Sequence, residues 1–176
     1  DKTLIMYLAD AALSTGETRF VQGILLKNLE KLRIYGYRHN GYVAPMHSTQ
    51  HYFKSCMDIL DDKIRAELFL DEQAPIFTKV RDEVPTRYVS GGSAVNCALA
   101  DGCVIGGSVE NSVLFRGVKV GRGATIRNSI VFQDCEVQDG CVLENVILDK
   151  DVIIRSGRTL IGQETYPVVI AKGAVI

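Results

Sequence analysis

Three consecutive stretches of the chain, ENSVLFRGVKVGRGATI (110–126), RNSIVFQDCEVQDGCVL (127–143) and ENVILDKDVIIRSGRTL (144–160), align column by column at a period of 17 residues. Asn111, Asn128 and Asn145 fall in one column, as do Val113, Ile130 and Ile147. Val120, Val137 and Ile154 share another, and so do Gly123, Gly140 and Gly157, and Ile126, Leu143 and Leu160. A shorter copy, VNCALADGCVIGGSV, sets Asn96 15 residues before Asn111. Within each copy an aliphatic residue recurs about every six positions with small residues between. One such unit cannot bury its own aliphatic side chains, but stacked units line them into columns and pair each strand with the copies on either side. The period predicts a mainly β chain, a left-handed parallel β-helix of hexapeptide repeats. Three hexapeptides make a coil of nominally 18 residues, so a period of 17 implies one tightened corner. The left hand is the known exception to right-handed crossovers.

The rest of the chain lacks this period. DKTLIMYLADAALSTG spaces Leu4, Ile5 and Leu8 as a helix does and stops at Ser14-Thr15-Gly16. FVQGILLKNLEKL predicts a second helix, and RIYGYRHNGYVAPM a β-rich pair broken near Asn40-Gly41. These elements are too few for a core of their own, so residues 1–47 are expected to be the tail of a larger domain. In STQHYFKSCMDIL, Ser48 is placed to cap a helix that carries Tyr52, Phe53, Cys56, Met57 and Leu60 on one face. DDKIRAELFLDEQ extends or follows that helix, and PIFTKVRDEVPTRYV then runs extended. Residues 48–92 thus form a helical and extended linker, and residues 93–176 the coils.

Composition narrows the function. With 47% hydrophobic residues, the 176-residue chain has material for a core. Its 20 Lys and Arg balance 21 Asp and Glu to a formal charge of −1, which points to neither nucleic acid nor an anionic membrane. There is no long apolar run, and DKTLIMYLAD is not a signal peptide, so a cytoplasmic location is expected. The five cysteines, at 56, 97, 103, 135 and 141, are odd in number and contain no CxxC. They read as small buried fillers rather than disulfides or zinc thiolates.

Several residues are candidates for chemistry. FRGVKVGRGAT sets three glycines around Lys119 and Arg122. It has no GK[ST], and Glu136 and Asp139 replace the two cations in the next copy, so it reads as a rung of the repeat rather than a phosphate loop. Gly123 is expected at a corner needing positive φ. The asparagine column is expected to form a corner ladder. All three histidines, His39, His47 and His51, precede the coils. A hexapeptide acyltransferase scaffold, whose chemistry ordinarily uses a coil histidine as base, is therefore disfavoured. His47 and His51 are four apart, but Ser48 caps the helix between them and no HExxH glutamate is present, which argues against a metal pair. Lys79, Arg81 and Arg87 are either a solvated strand face or an anion site.

PIFTKVRDEVPTRYV, DGCVIGGSVENSVLFRGVKVGRGATIRNSIV and VLENVILDKDVIIRSGRTLIG together resemble the glucose-1-phosphate adenylyltransferase family, and the likeness runs through essentially the whole chain. That resemblance implies a truncated α/β nucleotidyltransferase tail before the coils and, for the longer protein, ATP plus glucose 1-phosphate giving ADP-glucose plus diphosphate with Mg²⁺. The family's catalytic subunits carry G-Y-W-x-D-V-G, whose aspartate helps to hold the metal. Here YGYRHNG, Tyr35 to Gly41, has His39 at the aspartate position and Tyr37 at the tryptophan position. YGYRHNGYVAPMHSTQHYFKSCMDIL instead resembles GlgD-type subunits. The likeness implies a regulatory region of a glycogen-synthesis enzyme, itself non-catalytic. It also implies a homo-oligomer or a hetero-oligomer with a catalytic subunit; the anion-site reading of Lys79, Arg81 and Arg87 adds the expectation of a phosphorylated effector there. The alternative is part of a competent adenylyltransferase that holds its metal with other carboxylates.

Overall fold

A computed structural model describes residues 2–77 and 82–176. The chain divides into two compact units, one ending at Asn40 and the other running Gly41–Ile176.

The first unit contains α1, Lys2–Ser14, which ends as expected: Gly16 takes φ +70°, and its N–H donates to Leu13 O at 3.1 Å. The second expected helix differs. Phe20–Leu25 is a π-helical turn that runs into a 3-10 turn at Leu26–Asn28. Gly23 lies against Glu17 so closely that an added Cβ would meet the Glu17 side chain. Only Ala12, Gly23 and Ile24 are buried in these elements, while Ile5, Tyr7, Leu13 and Phe20 remain exposed. The β-rich pair expected in RIYGYRHNGYVAPM does not form. Residues 34–46 contain no strand, and the division between units falls inside the stretch at Asn40.

The second unit is mainly β, consistent with the left-handed hexapeptide β-helix that the repeat implies. Among the described residues its strands form three parallel five-stranded sheets, each strand pairing with its counterpart one coil away. The first sheet is β1 (Arg87–Tyr88), β4 (Val104–Ile105), β7 (Lys119–Val120), β10 (Glu136–Val137) and β13 (Ile153–Ile154). The second is β2 (Ser93–Val95), β5 (Ser108–Glu110), β8 (Thr125–Arg127), β11 (Val142–Glu144) and β14 (Thr159–Ile161). The third is β3 (Ala98–Leu99), β6 (Val113–Leu114), β9 (Ile130–Val131), β12 (Val146–Leu148) and β15 (Val168–Ile170). The registers Val120↔Val137↔Ile154 and Ile126↔Leu143↔Leu160 reproduce the sequence columns. Ile105, Ile126, Leu114, Val131, Val137, Leu143, Leu148 and Ile154 are fully buried inside the coils.

Each coil has three corners, and most of them use left-handed backbone. Asn96, Asn111, Asn128 and Asn145 take φ of 44–52°, while Gly123, Gly140 and Gly157 take 66–75°. Gly117, Asp134 and Asp151 serve the third corner at 59–70°. Asparagine and aspartate occupy this region at less cost than other side chains, and glycine at none. The 15-residue coil is shortened at one corner: only Gly106 and Gly107 join β4 to β5, whereas residues 121–124 join β7 to β8. A Cβ on Gly107 would lie 2.2 Å from Ala124 O.

Two limits of the expected domains shift. Arg87–Tyr88, in the expected linker, already pairs with Val104–Ile105, so coil pairing starts before residue 93. Arg and Tyr stand there in place of the aliphatic pattern, which hid the strand. Residues 41–47 leave the expected first domain, because the Tyr42 hydroxyl donates to Asp58 Oδ2 at 2.8 Å and its N–H donates to Glu67.

The helices of this unit are α2 (Thr49–Asp58) and α3 (Asp62–Phe69). Ser48 caps α2, its Oγ accepting the His51 N–H at 3.2 Å, and Asp61 caps α3 through Lys63 and Ile64. The apolar face of α2 lies on the outside of the third sheet, where Phe53 packs with Ile130 and Ile147, flanked by Tyr52, Cys56 and Met57. The rings of Phe115 and Phe132 stack at 4.7 Å, and Tyr52 continues the stack. No helix among the described residues is long and apolar enough to cross a membrane.

Candidate functional site

The outer face of the first sheet carries the described part of the predicted anion site. Arg87 starts a register that continues through Val104, Lys119, Glu136 and Ile153. It therefore lies two rungs from Lys119, roughly 10 Å at the usual strand spacing. Both line an open groove of about 550 Å³ with Glu136, Gln138, Asp139 and Ser156. Glu136, next to Lys119 in the register, and Asp139 offset its charge, leaving Arg87 at the more positive end. Lys79 and Arg81 lie outside the described residues.

The glycines around Lys119 and Arg122 do not form a phosphate cradle. The Gly121 N–H donates to Val137 O at 2.7 Å, the Arg122 N–H to Asp139 Oδ1 at 2.7 Å and the Ala124 N–H to Gly121 O at 3.3 Å. The donors an anion would need are spent on the neighbouring coil and on the corner itself.

His39 is exposed in the first unit, within a stretch without regular structure. Tyr35 to Gly41 contains no carboxylate, and Mg²⁺ is a hard ion that takes oxygen ligands. These residues do not fit Mg²⁺. His47 lies outside α2; its ring meets that of His51 edge to face at 6.1 Å, and His51 Nδ1 is 2.9 Å from Ser48 Oγ. Among the described residues no group of three or more His, Cys, Asp or Glu is placed to hold a metal.

Cys103, Cys135 and Cys141 are buried, and their thiols donate to Phe115 O, Asp149 O and Arg155 O at 3.2, 2.9 and 3.1 Å. Burial raises the pKa of Cys103 and pushes that of Cys135 up to about 11, so these are fillers rather than nucleophiles. The expected asparagine ladder forms only in part: Asn96 Nδ2 donates to Asn111 Oδ1 at 2.7 Å, and Asn145 Nδ2 to Gly162 O at 3.3 Å.

A second groove went unrecognised in the sequence. Residues 162–167 replace the one or two residues that make this corner elsewhere: two at 96–97, 111–112 and 128–129, and Asn145 alone between β11 and β12. The inserted loop closes on itself through Gln163 and Tyr166 and is held to α2 by Gln50, whose amide donates to Thr165 O. Its signal is the loss of the 17-residue period after Leu160.

Fold and repeat together define a hexapeptide-repeat β-helix protein. A family model described as "GlmU-like, C-terminal hexapeptide" matches residues 83–166. The glycogen biosynthesis protein GlgD of Bacillus subtilis is 39% identical over 103 residues, 58% of this chain and 30% of that protein. GlgD of Geobacillus stearothermophilus is 53% identical over 70 residues, 40% of this chain and 20% of that protein. The glucose-1-phosphate adenylyltransferase of the same organism is 36% identical over 96 residues, 54% of this chain and 24% of that protein. The chain is similar to GlgD and to glucose-1-phosphate adenylyltransferases, and its matches span 20–30% of the length of these relatives.

Proposed function

We propose that this chain is the assembly and regulatory region of a GlgD-type subunit in glycogen biosynthesis, without catalysis of its own. The observation that carries this reading is the comparison within Geobacillus stearothermophilus: 53% identity to GlgD against 36% to the adenylyltransferase. His39, at the position where the family's catalytic subunits carry a metal-binding aspartate, supports it, because imidazole supplies neither the charge nor the hard oxygen that Mg²⁺ takes up. The Mg²⁺ of the reaction then belongs to a catalytic adenylyltransferase partner in a hetero-oligomer. Arg87, with Lys79 and Arg81, receives a phosphorylated small-molecule effector.

The test is ADP-glucose formation from ATP and glucose 1-phosphate by the full-length protein, alone and mixed with a catalytic subunit. No turnover alone and a changed rate in the mixture are expected. Turnover alone at the rate of a catalytic subunit, unaltered by His39→Asp, overturns the reading. The effector site is tested by titrating a sugar bisphosphate against the same mixture with Lys79, Arg81 and Arg87 replaced by alanine; an unchanged response removes it.

A further inference from the structure

We propose that the groove between α2, the asparagine corner and the Gly162–Pro167 loop binds an uncharged, polyhydroxylated ligand of the oligosaccharide class. The cavity measures about 700 Å³, within the usual range for small-molecule sites. Three separate elements build it: α2 supplies His51 and Lys54, the corner supplies Asn128 and Asn145, and the loop supplies Glu164. The loop is the one corner between the second and third sheets that is enlarged among the described residues, and Gln50 holds it against α2.

Asn128 distinguishes this place from the rest of the ladder. Asn96 and Asn111 bond to each other, and Asn145 bonds to Gly162 O. The half-buried Asn128 amide has no side-chain hydrogen bond among the described residues, so its donor and acceptor both remain for a ligand.

Charge selects the ligand class. Lys54 shares the groove with the carboxylates of Asp58 and Glu164, so the formal charge disfavours an anion. No metal-binding group of three exists among the described residues. Amide, carboxylate and imidazole groups together offer the mixture of donors and acceptors that hydroxyls require. Met57, beside the buried Phe53, also lines the groove and adds apolar surface for the C–H faces of a sugar.

Saturation-transfer NMR on the full chain with glucose and with maltotriose tests the proposal. Transfer to sugar C–H protons is expected, with affinity falling about tenfold or more in Asn128→Gly and in Glu164→Gln, about the loss of one good hydrogen bond. Glycine keeps the left-handed corner at 128, and Glu164 lies on an exposed loop, so an unchanged melting temperature separates lost binding from lost fold. Preference for maltotriose marks a glycan chain as the ligand, and equal transfer a free monosaccharide. Transfer to neither sugar, transfer equal in wild type and both variants, or displacement of the sugar by inorganic phosphate overturns the proposal.

Discussion

The backbone N–H of Ser129 donates to Oγ of Ser112 in the adjacent coil at 3.1 Å, and the N–H of Val146 donates in turn to Oγ of Ser129 at the same distance. Each hydroxyl also donates to the carbonyl two residues before it, Glu110 O at 2.7 Å and Arg127 O at 2.6 Å. Both serines are completely buried. Ser129→Ala strands the Val146 N–H and is expected to destabilise the protein by about 1–3 kcal/mol, the cost of one unsatisfied buried donor. Urea unfolding measures it; a loss under about 0.5 kcal/mol would show that the ladder contributes little.

Two glycine substitutions separate steric from conformational cost. Gly107→Ala drives a Cβ to within 2.2 Å of the Ala124 carbonyl, which is backbone and has little freedom to yield. Gly123 has open space but φ +66°, so Gly123→Ala should cost about 1–2 kcal/mol and Gly123→Asn less. Thermal melts should rank Gly107→Ala lowest, then Gly123→Ala, then Gly123→Asn.

Cys135 makes stability sensitive to alkali. Its folded pKa of about 11 exceeds the ordinary value of 9.0, because burial disfavours the thiolate. The unfolded chain therefore loses this proton first: the contribution is intact below about pH 9 and fades as pH rises toward about 11. Valine already occupies the same interior column at Val118 and Val152. Cys135→Val should retain stability at pH 7 and lose less of it between pH 9 and 11 than the native chain does, as read by unfolding at each pH.

Phe53 is 4% exposed against Ile130 and Ile147. Phe53→Ala should cost about 3–5 kcal/mol, as large-to-small core changes do, and should loosen α2 while the coils persist. Hydrogen exchange would show faster exchange in α2 with little change in β9 and β12; uniform acceleration across the coils would contradict that picture.

The coils were legible because stacking imposes one rule on every copy. Val120, Val137 and Ile154 must point inward together, and Asn111, Asn128 and Asn145 must turn together, so the columns repeat along the chain. Ser48 and the stripe from Tyr52 to Met57 disclosed α2 and the face it buries, whereas Leu60, expected in the same stripe, lies beyond the helix end at Asp58. The Arg87–Tyr88 strand was not legible, because a coil at the end of a stack has one neighbour and its residues are freed from the aliphatic rule. The turns at Phe20–Leu25 and Leu26–Asn28 were read as one helix because apolar spacing does not separate π, 3-10 and α geometry. Arg87 was named as a cation, but its neighbours Glu136 and Asp139 come from other coils, more than 45 residues on. The groove at Asn128 was invisible for a similar reason, since it joins residues from 50 to 165 that share no motif.

The coil also works as a ruler. Each turn adds a fixed advance of roughly 4.8 Å along the stack. Gln50 reaches Thr165 while Phe53 of the same helix packs on Ile130 and Ile147, so the contact spans a set number of turns. Splicing in one more 17-residue turn between Asn128 and Asn145 would keep every corner chemically intact yet carry the loop a full step beyond Gln50. The number of turns, and not only their sequence, is under constraint in this chain.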